Sequence, residues 1–137
     1  MSKIIGIDLG TTYSAIAQLD DLGTPEVLAS TDNNKKITAS SVYIKDQNMI
    51  VGDKALDALE TAPKKVVTET KRQMENDVVY SVDEGKWVDK DEKNKDYYSP
   101  AQISSFILSK LKGYASDVKK AVTVSYTHLT LPTIYSV

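Results

Sequence analysis

Apolar residues crowd the opening of the chain. Lys3 to Leu9 (KIIGIDL) is an almost unbroken apolar run, interrupted only by Gly6 and Asp8. A short, isoleucine-rich run of this kind predicts a strand buried on both faces. Gly10-Thr11-Thr12 breaks it, and Tyr13 to Leu19 (YSAIAQL) resumes a strand-like pattern, so the two form a predicted hairpin. Asp20-Asp21-Leu22-Gly23 reads as a second turn, leading to a third strand over Glu26 to Ala29. Thr31 to Lys36 is polar and loop-like, and further strands are expected at Ser41 to Ile44 and Met49 to Val51. The first third is therefore a predicted β-meander.

Helical signals follow. Asp53 is placed to cap a helix through Leu59, with Ala55, Leu56 and Leu59 on one side and Pro63 limiting it. Lys64 to Met74 has no clean period. Asp83 to Asp96 is dominated by charge around Trp87-Val88 and predicts a solvated hairpin or loop. The sharpest local signal is Ser99-Pro100-Ala101-Gln102, a capping box with proline at the first helical position. Ile103, Phe106, Ile107, Leu111 and Tyr114 then recur at helical spacing and predict a core-packing face, weakened by Gly113 within the stretch. Ala121 to Val124 reads as a strand entering a core.

Composition narrows the function classes. The chain has 137 residues, 41% hydrophobic and 26% charged, which fits one folded domain. Seventeen basic and 19 acidic residues give a net charge of −2, without the basic excess of a nucleic-acid binder. No apolar run approaches the about 18 residues of a membrane span, and no signal-peptide core is present. Neither a nucleic-acid nor a membrane partner is expected. The absence of cysteine excludes disulfides and thiolate metal sites, and the single histidine, His128, argues against a histidine metal centre or a Ser–His–Asp triad.

Candidate chemistry concentrates in Gly6 to Ser14, GIDLGTTYS. Asp8 closes an apolar strand, where an unpaired carboxylate is costly to desolvate, so it needs donors or a cation. Gly10 permits close backbone approach, and Thr11 and Thr12 bring hydroxyls. Consecutive N–H groups in such a turn form an anion-binding concavity, and a nearby carboxylate suits a hydrated magnesium ion. One reading is a clamp for β- and γ-phosphates with their metal. The other is an ordinary hairpin whose Asp and Thr satisfy the turn. Spacing alone leaves both open.

The same nine residues resemble the first phosphate-binding loop of the seventy-kilodalton heat-shock chaperones of the DnaK type, which belong to the actin-like ATPase superfold. Sugar kinases of that superfold share an Asp–x–Gly–Thr–Thr hairpin. Later segments favour the chaperones: Val51-Gly52-Asp53-Lys54-Ala55, Lys71-Arg72, Tyr98 to Ser104 with Ile107-Leu108 and Leu111-Lys112, and Lys120 to Val124 all resemble the family's pattern in order. The resemblance implies an α/β chain of actin-like ATPase (ribonuclease H-like) fold. That fold is incomplete here and contains the N-terminal β-meander and helices of the first lobe, over residues 1–124.

The resemblance also implies roles. Gly10, Thr11, Thr12 and Tyr13 would contact the phosphates of ATP or ADP, and Asp8 would hold Mg2+ through water. Lys71 would reach the γ-phosphate and the attacking water, stabilising charge in phosphoryl transfer. The parent protein would be a cytoplasmic ATPase whose hydrolysis cycle controls its grip on unfolded or hydrophobic peptides, together with co-chaperones. A chain of this length, lacking most of the catalytic domain, is expected to be inactive alone. Two other readings are a small-molecule kinase of the same superfold and a non-catalytic module in which GIDLGTT is structural. Thr70 and Gln73-Met74-Glu75 replace the isoleucine before, and the Leu-Ile-Gly run after, the family's Lys-Arg pair, and Thr38-Ala39-Ser40 replaces Thr-Pro-Ser. After Val124 the family's Pro-Ala-Tyr-Phe is missing, and residues 125–137 are expected to be a non-family tail translated from an artefactual join.

Overall fold

The computed structural model describes residues 3–94, 97–115, 118–124 and 133–136. His128 and most of the expected non-family tail lie outside the described residues. The chain forms two compact units, Met1–Thr38 with Leu108–Val137, and Ala39–Ile107.

The first unit is built on the predicted meander. Strands β1 (Lys3–Asp8) and β2 (Tyr13–Leu19) pair antiparallel with Ile7 opposite Ile16 and Asp8 opposite Ala15. Strand β3 (Pro25–Val27) continues the meander one residue earlier than the sequence pattern predicts, and the Leu28 N–H adds one more bond, to the Ile16 carbonyl at 2.8 Å. At the far end of the chain lie two more strands, Val118–Val124 and Thr133–Ser136. The first runs parallel to β1, with Ile5 opposite Ala121, and the second pairs antiparallel with the first. A parallel neighbour requires a long crossover, and here that connection contains the whole second unit.

Burial on β1 follows one parity only. Ile5 and Ile7 are 0% and 3% exposed, whereas Ile4 is 54% exposed and Gly6 is open. The expectation of a strand buried on both faces is therefore corrected. Isoleucines at both odd and even positions hid the alternation that marks a one-sided strand.

β4 (Thr38–Ala39) marks the passage from the first unit to the second. In the second unit, β5 (Val42–Lys45) pairs with β6 (Asn48–Val51) and with β7 (Val66–Val67), and β8 (Val78–Ser81) with β9 (Lys86–Asp89) forms the charged hairpin. Helix α1 (Asp53–Asp57) is shorter than expected, and Leu59 is exposed. Its N-cap is Gly52, not Asp53. Gly52 has φ 103 and ψ −150, a conformation only glycine reaches easily, and no side chain caps the helix. Asp53 is the first helical residue, and its carboxylate accepts the Ala39 N–H at 3.3 Å.

Helix α2 (Pro100–Lys112) forms where the capping box predicts. The Ser99 N–H donates to Gln102 Oε1 at 2.8 Å, and the Gln102 N–H donates back to Ser99 Oγ at 3.1 Å. Ile103, Ile107 and Leu111 are fully buried. Gly113 stands just beyond the last turn rather than inside the helix, so it does not carry the expected interior penalty. The two strands near the C-terminus are β10 (Val118–Val124) and β11 (Thr133–Ser136).

Candidate functional site

The hairpin between β1 and β2 carries five of the six residues singled out from the sequence. Asp8 ends β1, Gly10, Thr11 and Thr12 form the turn, and Tyr13 opens β2. The turn is tight for a definable reason. A Cβ at Gly10 would collide with the Tyr13 carbonyl oxygen, so no other residue fits without moving the backbone. The Gly10 N–H donates to Ser14 Oγ at 3.2 Å, and Ser14 is only 2% exposed.

Asp8 is the electrostatic centre of this turn. Strand alternation sets it on the open face with Ile4 and Gly6 rather than with Ile5 and Ile7. Its Oδ1 is nonetheless buried and has no hydrogen-bond partner among the described residues. A buried carboxylate oxygen without a donor carries a desolvation cost that folding alone does not explain. Beside it, Thr11 and Thr12 donate no hydrogen bond to the described residues. Thr11 is half-buried, and Thr12 and Tyr13 are exposed, Tyr13 at 47%. An unpaired acceptor next to unengaged hydroxyl and amide donors can take a hydrated cation on one side and an anion on the other. Among the described residues there is no group of three or more His, Cys, Asp and Glu suited to hold a metal ion directly.

Lys71 belongs to the other compact unit. It sits in a single 3-10 turn, Thr70–Gln73, entered through Glu69 in the left-handed region at φ 55. Lys71 is half-buried and is not an isolated cation. Its neighbour Arg72 pairs with Glu69 at 3.6 Å on the surface. Thr70, at the position where the family pattern has isoleucine, is 2% exposed, and its Oγ1 has no partner among the described residues. Sequence reasoning placed no strain at Glu69 and gave Ser14 no role. Ser14 lay within the motif, but nothing in residue spacing marks a serine as the acceptor for an amide four positions earlier.

Comparisons with known proteins give the chain its relatives. The family model described as Hsp70 protein matches residues 4–136. The chaperone protein DnaK of Mycoplasmopsis agalactiae is 42% identical over 124 residues, covering 87% of this chain and 18% of its own length. That of Mycoplasma mobile is 41% identical over 125 residues, at 88% and 18%. The Thermotoga maritima protein is 33% identical over 124 residues, at 87% and 19%. The chain thus spans under a fifth of the length of these relatives, and the match favours the chaperone over the sugar kinase. On this evidence the chain belongs to the Hsp70 family of DnaK-type chaperones, whose actin-like ATPase fold its meander and capped helix represent in part.

Proposed function

We propose that this chain supplies the first phosphate-binding turn of an ATP-driven molecular chaperone. The observation that carries the reading is the buried Oδ1 of Asp8, without a partner among the described residues, in the same turn as Thr11 and Thr12, which donate no bond there. In that role Gly10, Thr11, Thr12 and Tyr13 contact the phosphates of ATP or ADP, and Asp8 holds Mg2+ through its water shell. The metal supplies charge neutralisation at the β- and γ-phosphates when bound. Lys71 is the residue proposed to stabilise the transferring phosphoryl group by fixed positive charge.

At family length the protein hydrolyses ATP to regulate its hold on unfolded, hydrophobic polypeptides, works with co-chaperones, and resides in the cytoplasm. Among the described residues, no helix is long and apolar enough to cross a membrane. At under a fifth of its relatives' length, the 137-residue chain is expected to lack useful ATPase activity alone. Calorimetric titration of Mg-ATP into a family-length Hsp70 chain carrying this segment tests the reading. Thr11→Ala is expected to weaken binding about tenfold, the effect of losing one charge-assisted hydrogen bond. Unchanged affinity would assign GIDLGTT to a structural role.

A further inference from the structure

We infer that Ser14 is a positioning residue for nucleotide phosphates, acting through the Gly10 amide without touching the ligand. The inference rests on the proposed phosphate-binding role of the turn. Ser14 is 2% exposed, and its Oγ accepts the Gly10 N–H at 3.2 Å. At the same glycine, the space a Cβ would need is occupied by the Tyr13 carbonyl oxygen. These contacts act on Gly10 from two sides. The hydroxyl accepts its amide, and the carbonyl leaves no room for a side chain on its α-carbon.

The consequence concerns which donors remain for an anion. With its N–H consumed inside the turn, Gly10 meets the phosphates through close backbone approach rather than as a hydrogen-bond donor. Thr11 and Thr12, which donate no bond to the described residues, keep their amides and hydroxyls for phosphate oxygens. Without the Ser14 oxygen, the Gly10 amide is left without its acceptor. The turn then gains by rotating that peptide toward water or by competing for the phosphate itself. Either change moves the threonine donors away from their preorganised positions.

The test uses a family-length Hsp70 chain carrying this segment, with Ser14→Ala and Ser14→Cys. Cysteine keeps the side-chain volume but accepts poorly, so it reports the same effect if the alanine variant does not fold. Three probes are used: hydrogen exchange at the Gly10 amide, Mg-ATP affinity, and affinity for adenosine, which has no phosphates. The expected result is Gly10 exchange faster by about tenfold and Mg-ATP bound about tenfold more weakly, with adenosine affinity unchanged. Equal loss of Mg-ATP and adenosine affinity would show a merely structural serine and overturn the inference. Unchanged Gly10 exchange would do the same. So would intact Mg-ATP affinity in the Ser14 variants while Thr11→Ala still loses it, which leaves the reading of the turn standing. If Thr11→Ala also binds Mg-ATP as tightly as the parent, both the reading and the inference fall.

Discussion

The start of α2 and the turn after β1 are both short polar segments flanking apolar runs, but they resolve their hydrogen bonds in opposite ways. At Ser99–Gln102 each partner satisfies the other, and Ile103, Ile107 and Leu111 behind them are fully buried. At Asp8–Ser14 the Gly10 amide is bonded to Ser14, while among the described residues the Asp8 oxygen has no partner and Thr11 and Thr12 donate no bond. A segment that closes its own bonds serves the fold. One that leaves buried valence open, at a backbone too tight for any residue but glycine, is where the proposed ligand site lies.

Substitutions sharpen this contrast. The largest effect on stability is expected from Ile107→Ala, which empties a fully buried site on α2 and costs about 2–5 kcal/mol by chemical denaturation. In the turn, Gly10→Ala forces the Tyr13 carbonyl aside and costs about 1–3 kcal/mol, the range for overpacking. It should also abolish nucleotide binding, whereas α2 variants that still fold should bind normally. Ser99→Ala removes one half of the capping box and costs about 1 kcal/mol in the same melts.

The smallest effect is a pH dependence in the second unit. The Tyr80 hydroxyl donates to the Lys64 and Val66 carbonyls at 3.0 and 3.3 Å, and Trp87 meets its ring edge-on at 5.3 Å. Burial raises its pKa above the ordinary 10.0. The folded state therefore holds this proton more tightly than the unfolded chain. The contribution to stability is complete below 10.0 and is lost as pH rises through the folded value. Denaturant melts in alkaline buffer should show a decline that Tyr80→Phe reduces.

Much of this was legible in the residues. The hairpin around Gly10 and the helix after Ser99 follow from local signals that tertiary packing reinforces. Less legible were features set by long-range or backbone geometry. The exposed side of β1 was hidden because Ile4, Ile5 and Ile7 are chemically alike. The α1 cap went to Gly52 because its positive φ outweighed the usual preference for an aspartate cap, and Asp53 was drawn instead to the Ala39 amide. For the site, residue type and spacing marked Asp8 and the threonines but left their role undecided between turn and clamp. The orphaned Asp8 oxygen is the observation on which the proposed clamp rests. Lys71 had no local signature, since one lysine in a charged stretch resembles any other, and its assignment rests on family likeness.

The most direct test of the central claim is Asp8→Asn in a family-length chain, followed by paired thermal melts without nucleotide and ATP titrations with and without magnesium. If the Asp8 carboxylate is held in reserve for a hydrated cation, the melting temperature stays level or rises while the magnesium-dependent part of ATP affinity disappears. A fall in melting temperature with magnesium-dependent affinity intact would show that the carboxylate serves the fold, and would contradict the account.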